Sequence, residues 1–150
     1  KTLMGKKRDG GRHPFHPLWL RNHTTKFNGV AYPVQRATEA LYSPEGQQQV
    51  KDLVNFYKGN AALLQAALTA AGLKVYGYTD SPYLWVRGPQ GVTSWQLFDR
   101  ILEKANIVTT PGSGFGAGGE GYFRLSSFNS RANVEEACQR FADQQLFVFG

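Results

Sequence analysis

The sequence TTPGSGFG (109–116) runs through AGGEG (117–121) into YFRLSS (122–127), and this junction decides how the chain is read. Six of the ten residues from 112 to 121 are glycine. Glycine loses more backbone entropy on folding than any other residue, so such density marks positive-φ positions or a close approach of backbone to a ligand or another segment. The segment that follows alternates with the period of a strand. Tyr122, Arg124 and Ser126 share one face, and Phe123, Leu125 and Ser127 the other. An arginine set among aromatic and aliphatic neighbours needs an anion, and its planar five-donor fork matches a carboxylate best. Spacing alone leaves two partners open: a ligand's carboxylate, or Glu120 or another acid of the chain.

The glycine run is not a recognisable phosphate loop. It lacks the Lys-Ser/Thr of a P-loop and the downstream acid of a dinucleotide site, and a strand follows it where a helix should receive the phosphate. Downstream, Ser130 reads as the N-cap of a helix with Val134, Ala137, Cys138 and Phe141 on its apolar side and Leu146 near its end. Upstream, residues 106–110 read as a short strand. Thr93 and Gln96 form a capping box ahead of a helix whose apolar face is Trp95, Phe98, Leu102 and Ala105. Residues 73–78 and 83–87 read as strands joined by the turn Asp80-Ser81-Pro82, an antiparallel hairpin closed by residues 88–91. Strands and helices in this order predict an α/β unit of two layers, a sheet covered by helices on one side. Tyr76, Tyr78, Tyr83, Trp85 and Trp95 fall at strand or helix spacing and read as core, not as a stacking platform for bases.

Ser43-Pro44-Glu45 marks a helix start, serine as N-cap and proline in the first turn. Val50, Leu53, Val54, Tyr57, Ala61, Leu64, Leu68 and Ala71 then recur at three and four residues, one apolar stripe ending at Gly72. A helix this long, with Gly59 expected to bend or break it, suits a connection between two lobes. Residues 30–41 are mildly helical. Residues 1–29 read as irregular, with a short apolar piece at 18–20. An aperiodic stretch of that length predicts packing against something outside the sequence.

Composition narrows the function classes. The 150 residues are 41% hydrophobic, enough for one sizeable core. Lys and Arg number 17 against 11 Asp and Glu, a net +6. Lys1, Lys6, Lys7, Arg8, Arg12, Arg21 and Lys26 face only Asp9 within the first 26 residues. This basic arm has no zinc pattern, aromatic RNA signature or regular basic helix, so it reads as solvated and no nucleic-acid partner is expected. Cys138 is the single cysteine, which excludes an internal disulfide. No apolar run is long enough for a spanning helix, and no membrane partner is expected. Residue 1 is Lys, so the lack of a leader says nothing about targeting.

No nucleophile–base pair stands out. His13 and His16 are three apart, but Pro14 and Pro17 are expected to keep them off a helix face, and no third metal ligand is near. His23 has no neighbouring acid, and Ser113 and Ser126 have no base. Asn28-Gly29 reads by itself as a surface turn.

These segments resemble the C-terminal part of the class I/II pyridoxal-phosphate aminotransferases, and within that group they are most similar to the LL-diaminopimelate aminotransferases. The resemblance rests on the loop and arginine strand together with TTKFNGV (24–30), YSPEG (42–46), FYK (56–58), AGLKVYG (71–77) and residues 132–140, and it covers 18–146. The glycine loop and arginine strand specify the superfamily; TTKFNG, YSPEG and TTPGSGFG are narrower.

The resemblance implies a fold-type-I small C-terminal domain over residues 73–150, a long interdomain helix over 47–72, and a remnant of the large cofactor-binding domain over 1–46. It implies that Arg124 forks the substrate α-carboxylate and that Asn28 reaches into the neighbouring subunit's site of a homodimer. Gly114 and Phe115 then line the substrate entrance. The cofactor is pyridoxal 5'-phosphate in the complete enzyme, and the partners are amino acid and 2-oxo acid substrates. The lysine that carries the cofactor is expected upstream, Lys26 does not match it, and this segment holds no catalytic residue and is expected to be inactive by itself. Residues 6–17 depart from the family, and the resemblance assigns them no role. Other expectations left open are an aminotransferase of another amino acid and a non-catalytic interaction domain. A cytoplasmic location is expected, or the plastid stroma for a plant or algal source.

Overall fold

A computed structural model of the chain describes residues 4–6, 9–143 and 145–149. Lys1, Lys7 and Arg8 of the basic arm lie outside the described residues. The chain divides into two compact units, Lys1–Gln47 and Gln48–Gly150.

In the first unit, strand β1 (Met4–Lys6) pairs antiparallel with β2 (Arg12–Pro14) in the register Gly5↔His13. Gly5 leaves room for the ring of Phe15, which a Cβ would strike. Helix α1 (Phe15–Lys26) and helix α2 (Tyr32–Ala40) follow. The irregular reading of residues 1–29 is therefore corrected. Pro17 falls in the first turn of α1, where a missing N–H costs no intrahelical bond, and His16 is consequently helical. The burial that would have made α1 periodic is absent: neither helix buries a residue.

Helix α3 (Pro44–Ala70) spans 27 residues. The Gly46 amide donates to the Ser43 hydroxyl at 3.0 Å, the cap the sequence predicts. At the other end Gly72 takes φ +85° while its amide reaches Thr69 O and that of Leu73 reaches Leu68 O, both at 3.0 Å. This pairing satisfies two terminal carbonyls and needs a left-handed residue that glycine supplies without strain. The helix is not broken at Gly59. What glycine supplies there is space, because a Cβ would meet the guanidinium of Arg131.

The second unit is a four-stranded antiparallel sheet in the order β3-β4-β6-β5. Strands β3 (Lys74–Gly77) and β4 (Tyr83–Arg87) form the predicted hairpin. β3 stops at Gly77 because Gly77 and Tyr78 both adopt positive φ and turn the chain. Helix α4 (Ser94–Ala105) carries the capping box of Thr93 and Gln96. Its buried side is Ser94, Leu97, Ile101 and Ala105, so that of the predicted face Trp95, Phe98, Leu102 and Ala105 only Ala105 is buried; Trp95 is 60% exposed. Asn106 then takes a left-handed conformation as C-cap, so β5 forms later than expected, at Thr110–Pro111. Two short 3-10 turns carry the glycine loop into β6 (Tyr122–Ser126). Helix α5 (Arg131–Phe141) begins at the predicted cap, with the Asn133 amide on the Ser130 hydroxyl.

The core lies between one face of the sheet and the helices. Leu84 and Val86 of β4 stand opposite Leu125 and Phe123 of β6, and all four are buried with Ala61, Leu64 and Leu68 of α3, Leu97 and Ile101 of α4, and Val134 and Phe141 of α5. This is the two-layer α/β arrangement that the order of elements predicts. Cys138 is half-buried against this core, where burial, then the nearby Glu135 charge, pushes its thiol pKa up.

Candidate functional site

Because side chains alternate across a strand, burying Leu84, Val86, Phe123 and Leu125 sends Tyr83, Trp85, Tyr122 and Arg124 to the opposite face of the same two strands. Arg124 is directly opposite Trp85 on one side and Thr110 on the other. This face carries the site. It is built from β4, β6 and the glycine loop, all within the second unit.

The Arg124 guanidinium carbon lies 4.3 Å from the centroid of the Tyr83 ring and 4.7 Å from that of Phe115. Both distances fall within cation–π range. Phe115 is in turn set edge-on to Trp85, centroids 5.4 Å apart, and Trp85 stacks on Tyr122 at 5.7 Å. Among the described residues Arg124 has no acidic side chain in salt-bridge range. Glu120, one of the two partners that spacing left open, is engaged elsewhere. Its Oε1 accepts the Ser94 amide at 2.7 Å and the Gly121 amide at 3.2 Å. There the carboxylate satisfies an orphan donor in the first turn of α4 and meets the positive end of that helix.

The loop is pinned by a residue that sequence reasoning missed. The buried Ser94 hydroxyl donates to Gly119 O at 3.1 Å and accepts the Gly121 amide at 3.0 Å and the Ser113 amide at 3.3 Å. Gly112 and Gly119 are in backbone contact, and a Cβ on either would collide with the other's carbonyl. The glycines at 112 and 119 thus serve chain-to-chain packing, while Gly116 at φ +111° serves a turn. Gly114 has open space around it, and Phe115 beside it is 54% exposed.

Asn28 belongs to the first unit, an exposed residue between α1 and α2, followed by Gly29 at φ +106°. The expectation that the aromatic residues are core is corrected for Tyr76, Tyr83 and Trp95, which are exposed, and for Trp85, which is half-buried on the open face. The signal was present: in YLWVR (83–87) the aromatic positions alternate with the aliphatic ones that the helices bury.

The face offers a guanidinium whose N–H edge meets no acid among the described residues, flanked by rings and beside a loop with open space at Gly114. That donor set suits a carboxylate. Attachment of an aldehyde cofactor needs an amine instead, and neither Lys58 nor Lys74 supplies one to this cluster: Lys58 pairs with Asp80 at 3.6 Å, and Lys74 lies on β3 opposite Arg87.

A family model described as aminotransferase class I and II matches residues 19–141. The chain is 58% identical over 140 residues to an LL-diaminopimelate aminotransferase of Prochlorococcus marinus, covering 93% of this chain and 34% of that protein. Among solved structures it is similar to the L,L-diaminopimelate aminotransferase of Chlamydomonas reinhardtii, with a TM-score of 0.81 and 47% identity over 91% of this chain and 33% of the other. It is also similar to an aromatic aminotransferase of Pyrococcus horikoshii, with a TM-score of 0.67 and 28% identity over 73% of this chain and 29% of that one. The chain spans about a third of the length of the relatives it matches.

Proposed function

This chain belongs to the class I and II aminotransferases, and from that premise we propose that it is the C-terminal portion of a pyridoxal-phosphate enzyme that moves an amino group between LL-diaminopimelate and 2-oxoglutarate. The name of the 58% identical relative supports the substrate pair. In this reading residues 73–150 are the small domain, 47–72 the helix joining it to a large cofactor-binding domain, and 1–46 a remnant of that large domain. The cofactor, when bound, supplies the electron sink for breaking the Cα–H bond. What this chain's residues contribute is orientation. Arg124 holds the α-carboxylate in its fork, and that fixes how Cα is presented; Gly114 and Phe115 line the way in.

One observation carries the assignment: Arg124 lies on the open sheet face against two rings, with no acid of its own in range among the described residues. A guanidinium so placed has its donors available for an incoming carboxylate. The experiment compares Arg124→Ala and Arg124→Lys in the complete enzyme. Both lose the two-pronged bond, and Arg124→Ala is expected to cost about 2–5 kcal/mol in kcat/KM for amino acid donors, by analogy with truncated charged pairs. An amine donor lacking the carboxylate should be hardly affected. Equal losses for both donors would make Arg124 structural and defeat the assignment.

The same reading makes the complete enzyme a homodimer, located in the cytoplasm or, for a plant or algal source, in the plastid stroma. Asn28 then reaches the neighbouring subunit's site, where a neutral donor and acceptor can orient a polar group without adding charge. Mixed dimers test this: pair an Asn28→Ala subunit with one disabled at the cofactor lysine. The one site that keeps its lysine then takes Asn28 from the unaltered partner, so activity there well above that of the Asn28→Ala homodimer supports the role, and activity as low as that homodimer's removes it.

A further inference from the structure

We propose that Phe115 and Tyr83 are positioning residues for the Arg124 guanidinium: the two rings hold the fork with its N–H edge free, in place of the acid that an arginine normally pairs with. The proposal deepens the carboxylate reading above and rests on it. It starts from a conflict of requirements. A guanidinium that is to bind a carboxylate must be fixed in place, because its side chain otherwise has many rotamers to lose on binding. The usual way to fix it is an acid, but an acid occupies the same in-plane donors that the ligand needs and neutralises the charge that attracts it.

Ring faces avoid both costs. They attract the cation through the π quadrupole and leave the N–H edge unoccupied. Arg124 meets this condition twice, at 4.3 Å from Tyr83 and 4.7 Å from Phe115. The rings are themselves held. Tyr83 lies on β4, diagonal to Arg124 across the ladder, and its ring meets Phe128 edge-on at 6.2 Å, which in turn meets Tyr57 edge-on at 4.7 Å. Phe115 is braced edge-on by Trp85, and Trp85 by the stack on Tyr122. The nearest acid in sequence, Glu120, is turned away by its two amide bonds at the start of α4. Charge competition is thereby kept off the fork, and the rings displace water beside it, which strengthens any ion pair made there.

The two rings differ in what carries them. Tyr83 is built into the sheet, whereas Phe115 stands on the glycine loop between Gly114 and Gly116. Phe115 is therefore the one whose loss can be read without disturbing the fold, since it is more than half exposed.

The test uses the complete enzyme with Phe115→Leu, Phe115→Tyr and Tyr83→Leu, each alone and in an Arg124→Lys background. Phe115→Leu keeps apolar bulk and removes the ring, so KM for a carboxylated donor should rise about 3–10-fold, the scale of one partly exposed cation–π contact. Its kcat should stay within about twofold, because the bond made by the fork is present in ground and transition states alike. Phe115→Tyr should return KM to within about twofold of the parent. In the Arg124→Lys background, Phe115→Leu and Tyr83→Leu should add less than about twofold, since the fork they hold is gone. A fall in kcat at constant KM, or full additivity with Arg124→Lys, would overturn the proposal. The two levels fail separately. If Arg124→Ala affects carboxylated and carboxylate-free donors equally, the carboxylate reading fails. If Arg124→Ala is selective while Phe115→Leu and Tyr83→Leu match the parent, only the positioning role is lost.

Discussion

Helices α1 and α4 are each 12 residues long, yet α1 buries no residue while α4 buries Ser94, Leu97, Ile101 and Ala105. Their ends differ as well. α4 starts on a reciprocal capping box and stops on a left-handed asparagine, whereas α1 starts at Pro14 with no side-chain cap. The apolar content does not separate them, since α1 contains Phe15, Leu18, Trp19 and Leu20, all exposed. What separates them is the surface each has to pack on within its unit. A 12-residue helix is marginal in water without tertiary burial. In the second unit a sheet face supplies that burial. In the first, β1 and β2 are three residues each, and among the described residues only Gly46 is buried. The proposed assignment of residues 1–46 to a larger domain gives α1 the surface it needs.

The largest expected effect sharpens this contrast directly. Phe123→Ala empties a fully buried site in the second unit and should lower its unfolding free energy by about 3–5 kcal/mol in a urea titration of the 150-residue chain. Trp19→Ala, a change of comparable size in α1, should move the same titration by less than about 0.5 kcal/mol. Similar costs for the two would mean that the first unit has a core of its own, and the contrast would fall.

A middle-sized effect separates fold from site inside the second unit. Ser94→Ala leaves the Gly119 carbonyl and the Gly121 and Ser113 amides without their common partner, at an expected cost of about 1–3 kcal/mol. Amide exchange should quicken at residues 112–121 ahead of β4 and α5. Uniform quickening throughout the unit would instead make Ser94 a general core residue, with no special hold on the loop.

The smallest effect concerns Cys138. Burial raises its thiol pKa above the ordinary value, so the folded state favours the protonated thiol. The corresponding stability is fully present below the pKa of the unfolded thiol and is lost as pH rises through the raised value of the folded one. Unfolding midpoints of the parent chain should therefore decline slightly in mildly alkaline solution, and a Cys138→Ala chain should show a shallower decline. Parallel pH profiles for the two would remove the thiol from the account.

Elements with a local cause could be read directly. The Ser43, Thr93 and Ser130 caps, the Gly72 stop, the 83–87 strand and the split of β6 into an arginine face and a phenylalanine face all follow from hydrogen-bonding capacity, permitted φ and the period of two. Elements with a remote cause could not. α1 has no apolar period because it meets no surface within its unit. In α4, Trp95, Phe98 and Leu102 make as good a stripe as Leu97 and Ile101, and only the sheet chose between them.

Arg124 shows the same division within one residue. Its strand, its face and its need for an anion were legible from alternation and charge alone. Whether Glu120 answered that need was not, because the Glu120 carboxylate had two claimants and sequence distance favoured neither. The fold decided it by bringing the first turn of α4 within reach of residue 120, where two backbone amides outbid a neighbouring side chain. Arg124 was left to the rings of Tyr83 and Phe115, 41 and 9 residues away in sequence, which only strand pairing and the path of the glycine loop could bring together. Local conformation follows from each residue's own stereochemistry; a contact between distant side chains follows from which surfaces the core leaves open.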